Sequence, residues 1–486
     1  TKLHEHVGAP ATVPWVGSPR FLNWSTGDWS KMRRVSRIKV NGLFGHVNHD
    51  VDLSQVPPIT IISGLNGSGK THLLRLLDAV VSFKLAALAK IQFKEFEIVF
   101  SDGHTLKVRP KGQQVDSIRV FEFFGRTSPS EPFKRKSVPF DKSDDSRRLP
   151  EWLLEMPDGS LYDTTSDRMV LREVADRRYR LADRQGISVI KGSWLEEFYQ
   201  NFNSILIDTQ RLDSSIIRNA ARAVPQGSAT SRIKQYIEQI SAQLNEARRA
   251  SHTESMDADQ SFASRVMKKS PSTSTIKEGE LKTRYQRIAD QQAELHANGL
   301  SIRPVDVTFP EGKVDVTARR ILNVFLDDWE RRLAPLLPVH EKVKLLREIV
   351  DGKFTGKEMS LSERGVVRFR TLPTGRPLAV ASLSSGEQHL IALFAMLLFS
   401  AKAGSLVLID EPEISMHAAW KHAFLEDIQK VADISDLQIV LATHSSAIIR
   451  GRWDLVREID AQHFEGEDES QVDLDELDFE SQDIEV

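Results

Sequence analysis

The amino-acid sequence predicts an α/β protein with a mixed sheet, flanking helices and a second, antiparallel sheet. The first observation is an apolar, β-branched run, Ile59–Ile62, which is followed by a Gly-rich loop and a helical pattern. The second is a pair of later apolar runs, 406–409 and 439–442, each of which ends in polar residues. The third is the strand-like alternation within 35–53 and 93–124. Helical patterns between the two groups of strands predict a sheet domain that is split by a helical arm.

The loop after the first apolar run has the pattern of a phosphate-binding loop. Residues Gly64–Thr71 read Gly-Leu-Asn-Gly-Ser-Gly-Lys-Thr and match that pattern completely. Glycine permits the tight backbone geometry in which successive N–H groups and the start of the next helix face a phosphate. We expect Lys70 to reach the β- and γ-phosphates and the Thr71 hydroxyl to ligate Mg²⁺. The predicted nucleotide-binding residues are Asn66, Gly67, Ser68, Gly69, Lys70 and Thr71.

Composition limits the chemistry that the chain can perform. The 486 residues include no cysteine, which excludes disulfides, thiolate metal sites and a cysteine nucleophile. No signal peptide is visible, and the longest apolar run, Leu390–Phe399, is too short to span a bilayer. These features predict a cytoplasmic protein that does not act at a membrane.

Charge is distributed unevenly along the chain. The segment Glu465–Val486 holds 11 acidic residues and no basic residue. The remainder carries 65 basic and 57 acidic residues, and a mildly basic body can attract nucleic acid. Because the acidic segment has no apolar period, we expect a disordered tail.

These patterns divide the chain into five predicted parts. They are an N-terminal extension (1–34), the first half of the sheet domain (35–212) with a basic insert at about 125–200, a helical arm (213–352), the second half of the sheet domain (353–464) and the acidic tail (465–486). Within the insert, residues 125–150 are expected to form a charged surface loop, and residues 165–184 an Arg-rich helix.

The arm is predicted to contain two pairs of helices. Apolar stripes at 233–247 and 281–295 fit a short coiled-coil hairpin. The segment between them, about 248–276, is rich in Ser and Thr and is expected to be mobile. Two more amphipathic helices are predicted at 316–334 and 339–350.

Three patterns in the second half of the chain add groups that act on a nucleotide. Leu383–Gln388 is a polar turn before an apolar helix. A buried strand ends in Asp410 and Glu411, where Asp410 is placed to support Mg²⁺ and Glu411 to polarise an attacking water. Another buried strand is followed by His444, which at such a strand end can sense the γ-phosphate.

One group of metal-type ligands is not predicted to bind a metal. His46, His49 and Asp50 lie close together in a predicted strand. Because successive strand residues face opposite sides of a sheet, this spacing does not bring the three side chains together.

The order of phosphate loop, hexapeptide, Asp-Glu strand and histidine resembles that of ABC-type ATPases, whose signature sequence the hexapeptide matches in part. Within that class the chain resembles the SMC, RecN, RecF and OLD-like branch, in which a helical arm splits the ATPase head. The segments SSGEQHLIALF, LVLIDEPEISMH and ATHSSAIIRGRWDL look like those of bacterial antiphage-defence ATPases of the Septu and retron-associated PtuA type, which are labelled AAA family ATPases. The close resemblance covers about residues 35–80 and 378–455.

The resemblance implies roles for residues of the ATP site. Glu411 would be the general base and His444 the switch. Mg²⁺ would be held by Thr71, Asp410 and Gln210, where Gln210 is the candidate Q-loop glutamine. Phe44 is a candidate for stacking on adenine.

The resemblance also implies a site shared between two chains. Ser384, Gly386 and Glu387 would contact the γ-phosphate of a nucleotide held by the opposite subunit. His417 stands where the D-loop of the class normally has an acid. ATP would then join two heads, and hydrolysis would release them.

The function implied is that of an ATP-hydrolysing subunit that dimerises on ATP. It would sense or drive a nucleic-acid or antiphage-defence complex and control a separate nuclease or other effector. An SMC- or RecF-like role in DNA repair stays open, as does a role as the nucleotide-binding subunit of a transporter, although the split head and the arm argue against the latter. A fused nuclease is not expected, because only about forty residues follow the His444 strand, fewer than a domain needs.

Overall fold

A computed structural model describes residues 33–54, 56–65, 67–115, 118–141, 190–200, 202–208, 228–268, 277–300, 308–310, 312, 314–362, 365–459 and 462–463, together with three short strands within 153–170. The predicted acidic tail, nearly all of the predicted N-terminal extension, Asn66 and Gln210 lie outside these residues.

The described residues form eighteen strands in four sheets. In chain order they are β1 (Val35–Leu43), β2 (Val47–Asp52), β3 (Ile59–Ser63), β4 (Glu95–Phe100), β5 (Thr105–Val115), β6 (Ile118–Arg126), β7 (Lys134–Asp141), β8 (Leu153–Glu155), β9 (Leu161–Asp163), β10 (Arg168–Val170), β11 (Ser204–Asp208), β12 (Lys357–Leu361), β13 (Val367–Thr371), β14 (Pro377–Leu378), β15 (Leu406–Asp410), β16 (Gln438–Ala442), β17 (Val456–Glu458) and β18 (Gln462–His463).

Helices lie before, between and after these strands. The α-helices are α1 (Lys70–Val81), α2 (Leu85–Leu88), α3 (Trp194–Gln200), α4 (Ser228–Lys268), α5 (Glu278–Ala297), α6 (Val316–Leu333), α7 (Leu337–Asp351), α8 (Ser385–Ala395), α9 (Ala418–Ser435) and α10 (Ser446–Ile449). A π-helical segment, Met396–Ser400, continues α8, and short 3₁₀ turns cover Val380–Ser382, Pro412–Ser415 and Trp453–Leu455.

A five-stranded sheet in the order β11-β15-β16-β3-β17 positions the site, and all of its neighbouring strands are parallel. The register pairs Asp410 with Ala442 and Ala442 with Ile62. Their carboxyl ends therefore lie level at one edge of the sheet. Each of the three central strands is a nearly continuous apolar run because both faces of the sheet are covered.

Two apolar cores cover the two faces of this sheet. On one face, Ile61, Ile409 and Leu441 pack in a cluster with residues of α4 to α9. On the other face, Ile62 and Leu408 pack in a cluster with α1 and the antiparallel sheet. The helices of the predicted arm therefore share a core with the parallel sheet.

The antiparallel sheet has the order β18-β2-β1-β4-β5-β6-β7 and contains the strands predicted within 35–53 and 93–124. The prediction of a surface loop over 125–150 is wrong for Lys134–Asp141, which is β7 and pairs with β6. Val138 and Phe140 point into the core, an alternation that the surrounding charges mask in the sequence. The predicted helix over 165–184 is wrong at Arg168–Val170, a strand that pairs with β9.

One helix of the arm, α4, is longer than the sequence predicts. The segment 248–276 was expected to be mobile, but α4 continues to Lys268. Its Thr and Ser hydroxyls bond within the helix: Thr253 donates to the carbonyl of Arg249 at 3.1 Å and Ser261 to that of Asp257 at 2.7 Å.

Helix α6 packs against both α4 and α5, so the two stripes that were predicted to form a hairpin pack together with a third helix. Arg265 of α4 bonds both carboxylate oxygens of the buried Asp328 on α6. The helices predicted at 316–334 and 339–350 are present as α6 and α7. Within the described part of the chain, no helix combines the length and apolar character needed to cross a bilayer.

Gly125 in β6 provides a test of the packing between the antiparallel sheet and α3. A Cβ at this position would lie 2.1 Å from a ring carbon of Trp194. We expect Gly125→Ala to lower the free energy of unfolding by about 1–3 kcal/mol, because the ring must move out of a packed core. The measurement is denaturant unfolding followed by circular dichroism.

Gly279→Ala is the matched control, because Gly279 lies in a helix and an added Cβ there would meet no atom within 4 Å. We expect no loss of stability from this control. An unchanged stability of Gly125→Ala would show that Trp194 does not pack on β6.

Candidate active site

The carboxyl edge of the parallel sheet brings together five of the predicted site residues, which are Lys70, Thr71, Asp410, Glu411 and His444. β3 leads into the loop Gly64–Thr71, β15 ends at Asp410, and β16 is followed by Thr443 and His444. Because these strands are adjacent and in register, residues from the two halves of the sequence meet at this edge.

The phosphate loop is held by its lysine and by its glycines. Lys70 is buried, and its ammonium group donates hydrogen bonds to the carbonyls of Gly64 at 2.7 Å and Leu65 at 3.0 Å. Gly67 and Gly69 have positive φ angles of 88° and 92°, which favour glycine. Gly64 is needed for a different reason, because a Cβ there would lie 2.4 Å from the carbonyl oxygen of Ile459.

His49 on β2 forms a hydrogen bond with the backbone of this loop. Its Nε2 lies 2.7 Å from the carbonyl oxygen of Ser68, which only accepts, so the ring N–H donates. The side chain is buried, and burial lowers the pKa of His49. Val47, His49 and Val51 share the buried face of β2. That alternation is the sequence signal that could have assigned His49 to the buried face of the strand.

Thr71 and Asp410 form the link between the loop and β15. The Thr71 hydroxyl donates to Asp410 Oδ1 at 3.1 Å, and Asp410 is buried. A hydroxyl and a carboxylate at this spacing are the oxygen ligands that Mg²⁺ prefers, so the residues fit the ion. Gln210, the third predicted ligand, lies outside the described residues, two positions after β11.

Glu411 follows β15 in a left-handed backbone conformation with φ 48°, and its N–H donates to the carbonyl of Ala442 at 2.9 Å. One carboxylate oxygen lies 3.1 Å from Nδ1 of His444. Burial, followed by the charge and hydrogen bond of Glu413 and the charge of Asp410, raises the pKa of Glu411 to about 7. A carboxylate with such a pKa is a stronger base than an ordinary glutamate.

Glu413 is the residue that the sequence analysis missed. It is buried, and its Oε1 accepts a hydrogen bond of 2.5 Å from the Thr443 hydroxyl. The same hydroxyl accepts from the N–H of Ser445 at 3.0 Å. Glu413 therefore connects the turn after β15 to the turn after β16. The sequence signal that could have identified Glu413 is a third acidic residue only two positions after Glu411.

The signature-like hexapeptide begins α8. The Ser384 side chain caps the helix by accepting from the N–H of Glu387, and Glu387 accepts from the N–H of Ser384 at 2.8 Å. Lys357 donates to both oxygens of Glu387, at 2.7 and 2.9 Å. Glu387 thus orders the start of the helix, and its predicted contact with a γ-phosphate stays a prediction. Ser384 itself is exposed and Gly386 is half-buried.

A cleft of about 560 Å³ lies beside this helix start. Its lining includes Ser384–Glu387, Lys353 and the side chains of Ile414, His417 and Trp420, but none of the described residues of Gly64–Thr71. His417 caps α9, because its Nδ1 accepts from the N–H of Ala419 at 3.3 Å.

Phe44, the candidate for adenine stacking, lies near the phosphate loop. Its ring makes an edge contact with His72 at a centroid distance of 4.8 Å. A Cβ on Gly69 would lie 3.4 Å from the Phe44 ring. Its contact with adenine stays a prediction.

Comparison with known protein families identifies the class. Residues 59–450 match the family described as "AAA domain, putative AbiEii toxin, Type IV TA system". The match spans most of the chain and includes the phosphate loop, Asp410, Glu411 and His444. The chain belongs to this AAA-domain family, and it is an ATPase.

Comparison with solved structures finds SMC head domains, and a search of curated proteins finds no match. A Pyrococcus furiosus Smc head with an extended coiled coil, bound to the C-terminal domain of ScpA, is 13% identical with a TM-score of 0.34; the match covers 86% of this chain and 92% of that one. An SmcHead bound to the C-winged helix domain of ScpA is 14% identical with a TM-score of 0.30, covering 86% and 91%. The SMC head domain from Thermotoga maritima is 11% identical with a TM-score of 0.28, covering 86% and 91%.

The lowered pKa of His49 predicts a dependence of stability on pH. Since the folded protein disfavours the charged imidazole, stability is complete above the unfolded pKa of about 6.5 and falls as pH drops toward the lower folded pKa. His49→Gln removes this titration and keeps an N–H that can donate to Ser68. We expect the melting temperature of the variant to fall less than that of the parent between pH 7.5 and pH 5.5. Equal falls in both proteins would contradict the burial of a neutral His49.

Proposed function

We propose that this ATPase is of the ABC type and hydrolyses ATP at sites that are each built from two chains. The observation that carries the proposal is the separation of two groups within one chain. The phosphate loop, Asp410 and Glu411 meet at the sheet edge, whereas the exposed start of α8 at Ser384 lines a cleft to which the described residues of the loop do not contribute.

Within one chain, different residues bind the phosphates, hold Mg²⁺ and activate the attacking water. The loop N–H groups and Lys70 bind the phosphates. Thr71 and Asp410 would hold Mg²⁺, which neutralises charge on the phosphates. Glu411 accepts the proton of the attacking water, and His444 beside it responds to the γ-phosphate.

The second chain completes each site through the start of its α8. The Ser384 hydroxyl and the first N–H groups of that helix are suited to a γ-phosphate, because a helix start favours negative charge. The capping box and Lys357 fix these groups before the nucleotide arrives. Contact between the two chains then depends on the γ-phosphate that both of them bind. Hydrolysis of ATP removes this shared ligand and weakens the contact.

In the cell, we propose that this cycle controls a separate effector, such as a nuclease, in a nucleic-acid or antiphage-defence complex. The family description names a toxin of a toxin–antitoxin system, which supports a regulated complex over a transporter.

Replacement of the general base and of the loop lysine should have different effects. Glu411→Gln should retain ATP binding and slow turnover by about 10²–10⁴-fold, the usual contribution of a general base. Lys70→Ala should weaken nucleotide binding itself, because it removes the charge that reaches the phosphates. Phosphate release measures turnover, and titration with a fluorescent ATP analogue measures binding.

Glu426→Gln is the control for the first variant, because it makes the same change at an exposed glutamate on α9. Its turnover should match that of the parent. Turnover of Glu411→Gln at the parental rate would remove Glu411 from the mechanism.

A further inference from the structure

Glu411, Glu413 and His444 form a cluster whose composition differs from that of the predicted Mg²⁺ site. One ligand atom from each of the three residues lies within 4.8 Å of the other two. The cluster contains an imidazole nitrogen, whereas Thr71 and Asp410 offer only oxygen. Imidazole favours Zn²⁺ and its neighbours among the transition metals over Mg²⁺.

Glu413 supplies an independent indication of a ligand. The residue is only 8% exposed, and its Oε1 is occupied by the Thr443 hydroxyl. Its Oε2 is buried, and within the described residues no N–H or hydroxyl group donates to it, while the hydrogen bond between Glu411 and Glu413 requires a proton on one of the two carboxyls. A carboxylate oxygen that is removed from water without a donor is costly, so a cation or a proton is needed beside it.

The distances within the cluster fit a small metal ion. Ligand atoms at about 2.0–2.2 Å from a tetrahedral Zn²⁺ are separated by about 3.3 Å. The Glu411 oxygen and His444 Nδ1 are already 3.1 Å apart, and since no separation in the cluster exceeds 4.8 Å, a shift of at most about 1.5 Å brings the atoms to that spacing. His444 is half exposed, which leaves an entry path for the ion and a position for water.

We propose that Glu411, Glu413 and His444 bind a transition-metal ion of the Zn²⁺ class, and that this ion inhibits ATP hydrolysis. The site is distinct from the Mg²⁺ site at Thr71 and Asp410. An ion bound here occupies the carboxylate that would accept the proton of the attacking water and also the histidine beside it. The inhibitory part rests on the proposed function, whereas the binding part does not.

The binding test uses the full chain without nucleotide or Mg²⁺. Zn²⁺ is titrated in competition with a chromophoric chelator. We expect one binding site in the parent that is weakened at least tenfold in His444→Ala and in Glu413→Gln, because each loses one of three ligands. His252→Ala and Glu246→Gln, which change exposed residues of α4, should bind as the parent does.

Two results would overturn the binding part. One is equal Zn²⁺ binding by the parent and His444→Ala, which would place the ions on surface histidines. The other is a parent protein that, with Co²⁺ added, lacks the absorption of a low-symmetry bound ion, which would show that the cluster does not hold the ion. The Co²⁺ spectrum and His444→Ala do not depend on whether Glu413→Gln folds.

The inhibitory part is tested by turnover. We expect parental phosphate release with Mg²⁺ to fall at Zn²⁺ concentrations near the measured dissociation constant. Turnover that is unaffected by Zn²⁺ at saturation would overturn this part. A parent that has no Mg²⁺-dependent turnover even without Zn²⁺ would contradict the proposed function and leave the binding result standing.

Discussion

The hydrogen bond from Thr71 to Asp410 joins residues that are 339 positions apart, and the site depends on it. Thr71 belongs to the helix after β3, and Asp410 ends β15. The two are neighbours only because β16 lies between β3 and β15 in register with both. Ile61 and Leu441 pack in the core on one face of the sheet and Leu408 in the core on the other, so burial of both faces holds these strands together.

Much of this arrangement could be predicted from the sequence because its signals are local. The strand, loop and helix from Ile59 to Val81 follow from a β-branched run, glycines and an apolar helix pattern. The strand ending at Asp410 is a buried apolar run followed by acids, so its carboxyl end was evident. The capping of α8 by Ser384 and Glu387 could likewise be predicted, because the capping motif spans only four successive residues.

The remaining features depend on contacts that no local pattern contains. The far half of α4 is polar, and its ordering involves Asp328 on another helix. Strand β7 lies among charges, and only its pairing with β6 identifies it. Glu413 looks like one more acid after a strand; its role follows from burial beside Thr443 and Glu411. His49 acts on a loop that begins fifteen residues later, which its own strand pattern does not reveal.

The central claim, a site shared between two chains, is tested most directly by mixing two inactive variants. Ser384→Arg should bind ATP but not hydrolyse it, because it spoils only the contribution to the partner's site, and Lys70→Ala should fail to hold ATP. In a mixed dimer, one site combines the intact loop of the first chain with the intact α8 of the second. We expect phosphate release to return, up to about half of the parental rate per mixed dimer if the two sites act independently. A mixture no more active than its separate components, under conditions in which labelled chains are seen to exchange partners, would contradict the shared site.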